Sequence, residues 1–243
     1  MTLLEFSTEF DILFNNIMSD TAPSVNEYEK SVFLTKAQNE IVKNYFNPKG
    51  NKYQEGFDGS LKRQSDFSML VTISEVSAEP SPVLTFNHDC SSTFEIPENL
   101  MIYIQESLEV SNGDSTKVLQ VIPLRYDEYI RLNSRPYKYP ARDQAWRVIG
   151  NSSTDSRNAQ LIYHPGETVQ ANGYTIVYVR KPQPIVISDL TSTGLSIEGV
   201  STVSECELDS EIHPEILQRA VEIAKVTYSG DISAIIQTGN RSE

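Results

Sequence analysis

The stretch HPEILQRAVEIAKVTYSGD, residues 213 to 231, sets Ile216, Ala220, Ile223 and Ala224 on one helical face, with Leu217, Val221 and Tyr228 beside them. His213 is a predicted N-cap, Pro214 fits the first helical position and Gly230 is a stop. Ile212 can staple onto Leu217, and Glu215 suits the positive end of the helix dipole. A single helix has nowhere to bury such a stripe by itself. The matching apolar faces lie at the other end of the chain. Residues 2 to 18 place Leu3, Phe6, Phe10, Leu13, Phe14 and Ile17 at helical spacing. A second helix is predicted from Ser24, as N-cap, with Glu27 completing a capping box. Its apolar positions are Val25, Tyr28, Val32, Ala37, Ile41 and Tyr45, widened by Phe33, Val42 and Phe46, and Asn47-Pro48 ends it.

Between the two ends the pattern changes period. LMIYIQESLEV alternates, NGDS at 112 to 115 is a turn signal, and KVLQVIPL can return as the partner strand. YDEYIRL reads as a short helical turn. In GYTIVYVRKP, Tyr174, Ile176 and Tyr178 share one face and Thr175, Val177 and Val179 the other, which predicts an inner strand covered on both sides. Residues 181 to 208 are polar and rich in turn formers. They read as a surface excursion in which PIVI adds an edge strand. The expected fold class is α+β. A helical body from both chain termini, residues 1-70 plus 209-243, carries an inserted, mainly antiparallel β domain, residues 71-208.

Charge and chemistry narrow the function. The chain of 243 residues has a net charge of −13, a poor basis for gripping nucleic acid. Its two cysteines, Cys90 and Cys206, show no metal spacing and read as unpaired thiols. The N-terminal stretch lacks a basic leader and is broken by Glu5, Glu9 and Asp11, so neither a signal peptide nor a membrane span is expected. Catalytic motifs are missing: there is no HExxH, GxSxG, P-loop or GxGxxG. His88, Asp89 and Cys90 are consecutive and point apart, and His164 sits in a turn. No catalytic residue, cofactor or metal is expected.

Other groups suggest surfaces. Asp127-Glu128 and the alternating set Glu205, Glu207, Asp209 and Glu211 are solvated acidic faces or, in principle, metal or glycosidase carboxylates. Lys62 and Arg63 form a basic spot. RPYKYP interleaves Arg135 and Lys138 with Tyr137 and Tyr139, a composition suited to protein contacts and equally to a proline-braced loop packing its own tyrosines.

EFDILFNNIMSDTAPSVNEYEKSVFLTKAQNEIVKNYF resembles the N-terminal helix pair of a structural protein family of crAss-like tailed bacteriophages. GFDGSLKRQSDFSMLV, NSRPYKYPARDQAWRV, YTIVYVRKPQPIVI and HPEILQRAVEIAKVTYSGD are similar to that family's later blocks, in the same order. The helix–β–helix order also resembles head-to-tail adaptor, or tail tubular, ring proteins. The resemblance implies a non-enzymatic virion protein, made in the host bacterial cytoplasm. It would form a ring, commonly twelvefold, below the portal and among other connector or tail rings, as part of the DNA exit channel. Its partners would be copies of itself, portal and neighbouring ring proteins, with double-stranded DNA passing without specific binding and no membrane contact. Lys62, Arg63, Arg135, Tyr137, Tyr139, Ile235 and Ile236 are candidate interface residues. Glu205, Glu207, Asp209 and Glu211 are a candidate acidic lumen. Two competing readings remain: a tail module that binds or degrades host-surface glycans, and a nucleic-acid-binding protein that uses the basic residues of 47 to 66 and 135 to 147.

Overall fold

The computed structural model describes residues 1–15, 25–46, 65–77, 90–112, 115–133, 139–151, 157–164 and 169–229. The chain divides into two compact units, Met1–Leu70 with Lys181–Glu243, and Val71–Arg180.

In the first unit, helix α1 (Leu3–Asn15) opens with a capping box. Thr2 Oγ1 accepts from the Glu5 amide at 3.3 Å, and the Glu5 carboxylate accepts from the Thr2 amide at 2.7 Å. Phe6, Phe10 and Phe14 are its buried row, whereas Leu13, expected on that face, is exposed. Helix α2 (Glu27–Phe46) is boxed by Asn26 and Glu29, each side chain accepting the other's amide at 3.0 Å. The expected box at Ser24 and Glu27 is thus displaced by two residues. Asparagine caps as well as serine, and Glu29 stands at the required distance from it. Ser24 itself lies outside the described residues.

Helix α2 is buried around most of its circumference. Phe33, Leu34, Ala37, Ile41 and Val42 are in the core, and so are the polar Lys30, Ser31, Thr35 and Gln38. Phe33 stacks on Phe10, and Tyr228 of the last helix meets Phe14 and Phe33 edge-on at 5.7 and 6.3 Å. Lys30 Nζ reaches Asp11 at 2.6 Å, and Arg219 grips Glu40 with two hydrogen bonds of 2.6 and 3.0 Å. Both pairs tie α2 to its helical neighbours.

Residues 181–208 were expected with the strands. They cluster instead with the helices, and PIVI adds no strand to the sheet. The polar row on α2 is the cause. Ser31 accepts the Ile187 amide at 3.0 Å. Thr35 accepts the Ile185 amide at 3.1 Å and donates to the Ile185 carbonyl. Gln38 donates to the Gln183 carbonyl at 2.9 Å. On the alternate residue, Val186 exchanges both backbone hydrogen bonds with Ser204. A helix therefore satisfies the odd-numbered backbone groups of this extended segment, a bond set normally supplied by a neighbouring strand. Val186, Leu190 and Ile197 close a small core beneath it with Tyr28 and Val32.

The last helix, α4 (His213–Ser229), begins one position earlier than expected. The Ile212 carbonyl takes the first helical bond from Ile216, so Ile212 is the N-cap and His213 the first helical residue. The His213 ring turns inward. Its Nε2 lies 3.0 Å from the Leu208 carbonyl, its Nδ1 lies 2.8 Å from the Met1 amine, and its centroid is 5.2 Å from that of Phe6.

The second unit is a seven-stranded, mainly antiparallel sheet. Its strands are β1 (Val71–Ser77), β2 (Ser91–Glu95), β3 (Leu100–Asn112), β4 (Ser115–Pro123), β5 (Gln144–Asn151), β6 (Arg157–Tyr163) and β7 (Val169–Arg180). Their spatial order is β1-β7-β3-β4-β5-β6-β2, with only β4 and β5 parallel. The sheet curls until its edge strands β1 and β2 touch, enclosing Phe94, Leu108, Leu119, Leu161, Tyr174 and Ile176. Helix α3 (Tyr126–Asn133) covers the outer face through Tyr129 against Val148 and Ile162. Strand β6 is consequently buried on both faces from Asn158 to Tyr163. Strand β7 is internal, with Tyr174, Ile176 and Tyr178 in the enclosed core. Asn112 pairs with Ser115 at the predicted hairpin turn.

Candidate functional site

Strand alternation places Arg147 in phase with the core residue Ala145 on β5, and Glu106 in phase with Leu108 and Val110 on β3. Two opposite charges are therefore aimed into the enclosed face, where they meet. Arg147 Nη1 donates to Glu106 Oε1 in a contact with both side chains less than a tenth exposed. Tyr174 Oη donates to the other carboxylate oxygen at 3.1 Å. The guanidinium lies 3.8 Å from the centre of the Tyr103 ring, a cation–π contact. Burial raises the Glu106 carboxyl above its ordinary range; Arg147 and the Tyr174 hydroxyl pull the other way without cancelling it. Burial, reinforced by the neighbouring carboxylate, raises the Tyr174 phenol well above its usual value, and burial likewise raises Tyr103. Both oxygens of the Glu106 carboxylate are engaged, one by Arg147 and one by Tyr174. Arg147 Nε and Tyr103 Oη are buried and lack a hydrogen-bond partner among the described residues.

These groups line a cleft. Strands β3 and β4 pair from Asn112↔Ser115 only as far as Ser107↔Gln120. Beyond that point β3 continues along β7 and β4 continues along β5, so the sheet splits. The cleft there has a volume of about 540 Å³ and is lined by Tyr103, Gln105, Glu106, Ser107, Gln120 and Arg147 among others.

The sequence-predicted residues are placed as follows. Lys62, Arg63, Arg135, Tyr137, Ile235 and Ile236 lie outside the described residues, as do His88 and Asp89. Tyr139 is half-buried, with its ring 6.2 Å from that of His164. Asp127 pairs with Arg125 and Arg131, and Glu128 accepts the Arg125 amide, so this acidic pair serves the start of α3. Glu205, Asp209 and Glu211 are exposed, and Glu207 is half-buried and accepts the Gln183 amide at 3.1 Å. Asp209 Oδ1 accepts the Glu211 amide at 3.1 Å, in a turn leading into α4. The chain turns over 210–212, so the four carboxylates do not continue along one extended edge. Neither cysteine forms a disulfide, and burial pushes the Cys206 thiol up to about 11. Among the described residues no group of three His, Cys, Asp or Glu side chains could hold a metal, and no helix is long and apolar enough to cross a membrane.

A family model described as phage tail ring protein 3/4 matches residues 1–234. This chain belongs to that family. Among phage tail ring proteins it is 50% identical to Ring protein 4/5 of Bacteroides phage crAss001 over 246 residues, which cover 100% of both chains. It is 32% identical to Ring protein 3 of the same phage over 232 residues, covering 93% of this chain and 96% of the relative. The resemblance drawn from the quoted blocks is thereby established for the ring-protein family. Reading the sequence did not anticipate the Glu106–Arg147 cluster in this family member. The available signal was two opposite charges, each in phase with the apolar positions of its own strand.

Proposed function

We propose that this chain is a head-to-tail connector subunit that closes into a ring with copies of itself, twelvefold, below the portal, and forms part of the DNA exit channel. The observation that carries the reading is full-length similarity to a relative named as a ring protein, at 50% identity. A ring repeats one heterologous contact until it closes, so each copy presents two complementary surfaces. The helical body with residues 47–66 is proposed for one, and the β-rich part with residues 133–147 for the other. The chain acts without catalysis: its role is shape and charge.

The net charge of −13 fits this role. Carboxylates facing a bore repel phosphate and let duplex DNA slide without sticking. Glu205, Asp209 and Glu211 are exposed and available to such a lining. The subunit is made in the host bacterial cytoplasm and carried in the virion, beside the portal and other ring proteins. Image averaging and quantitative mass analysis of purified particles test this. Twelve copies in one closed ring, or a multiple of twelve in stacked rings, is the expected result. A chain absent from particles, or present once or twice in each, removes the reading. The purified subunit is expected not to retain duplex DNA even at low salt.

A further inference from the structure

We propose that the split between β3 and β4 receives an extended segment from a second copy of this chain, which adds a strand to the sheet. The inference rests on the ring reading and names the contact that reading leaves open. Three observations converge on the split. First, among the described residues the facing edges of β3 before Ser107 and of β4 after Gln120 have no strand partner across the gap, while each is paired on its other side. Such edges hold backbone donors and acceptors at the spacing of a missing strand.

Second, the floor of the gap holds two buried polar atoms, Arg147 Nε and Tyr103 Oη, without partners among the described residues. An unmet buried donor is costly, and an incoming acceptor relieves it. Because Glu106 already neutralises the guanidinium, the acceptor that suits the site is an uncharged one such as a peptide carbonyl; a second carboxylate would be in excess. Third, the neutral polar side chains Gln105, Ser107 and Gln120 line the walls. Copies of a chain carrying a net charge of −13 repel one another on balance. A charge-balanced cleft is where a second copy can approach without that repulsion, and ring closure brings one copy against the next.

The test places a photo-crosslinking phenylalanine analogue at the exposed Gln105, in particles assembled around the substituted chain. The emission of Trp146 and the melting curve of the free subunit check that the sheet is intact. A cross-link that yields a dimer of this chain is expected. Hydrogen exchange at 103–106 and 121–122 is also expected to slow at least about tenfold between the free subunit and the particle. Cross-linking to a different tail protein overturns the assignment to a second copy. A ring seen in the particles with neither cross-link nor slowed exchange overturns the docking site and leaves the ring reading standing. Particles that lack a ring of this chain overturn both.

Discussion

Arg147 is a largely buried charge, and Glu106 is its partner among the formal charges of the cluster. Removing one partner of a buried pair leaves the other uncompensated, at a cost of about 3–5 kcal/mol. Arg147→Met is therefore expected to lower the stability of the β unit by that order. The double variant Arg147→Met with Glu106→Gln is expected to lose less than Arg147→Met alone. Urea unfolding followed by the emission of Trp146, the one tryptophan in the chain, reads both values. An equal or larger loss in the double variant would contradict the pairing argument. His213 supplies a second residue-scale prediction. Burial, the larger influence, and the Met1 amine lower its pKa below the ordinary 6.5, against the Leu208 carbonyl and Asp209. The folded state thus favours the neutral ring. Its contribution is complete above pH 6.5 and declines as pH falls through the lowered folded value. The helical unit should melt at lower temperature as the buffer is taken below pH 6.5, and His213→Gln should flatten that dependence in far-UV circular dichroism.

At the scale of elements, the row Ser31, Thr35 and Gln38 decides where residues 181–208 belong. Thr35→Val keeps the shape of the side chain and strands both the amide and the carbonyl of Ile185, which are buried. A loss of about 2 kcal/mol is expected. Exchange of the amides at 183–187 should accelerate before that of α2. Unchanged exchange there would mean that the row does not hold the segment. This element also shows where the sequence stops being readable. The apolar faces of α1, α2 and α4 stand out because their period matches a helix, and the β3–β4 hairpin because its turn residues sit between alternating runs. The polar row on α2 looks like a solvated face, since hydroxyls and amides normally point to water. Its partners are backbone groups some 150 residues onward, which carry no sequence signature. The capping box of α2 was legible in kind but not in register, because several residues near the helix start are acceptable caps, and the box at Thr2 was not anticipated.

For the whole molecule, the two units have separate cores and should fold separately. A chain of residues 71–180 alone is expected to unfold in one cooperative step seen by Trp146 emission. The complementary chain, with a short Gly-Ser linker between Leu70 and Lys181, is expected to retain its helical spectrum and the His213 pH dependence. An excised β unit that is disordered would refute this independence. The division into helices from both ends and strands between them was readable as an order of periodicities. The exit of residues 181–208 from the β unit was not, because it depends on side-chain hydrogen bonds rather than on pattern. The ring-protein family likewise came from long sequence blocks, not from chemistry: the Glu106–Arg147 pair buried in the sheet joins residues 41 positions apart.

The pairing of Val71 with Val179 means that the strand opening the insert and the strand closing it leave the sheet side by side. Their backbones are about 5 Å apart at that point. Two cuts at neighbouring positions would lift out the whole β cassette, and a different module with adjacent ends could be grafted in its place without stretching either junction. The exchange would leave the chain of the helical unit unchanged on either side of the graft.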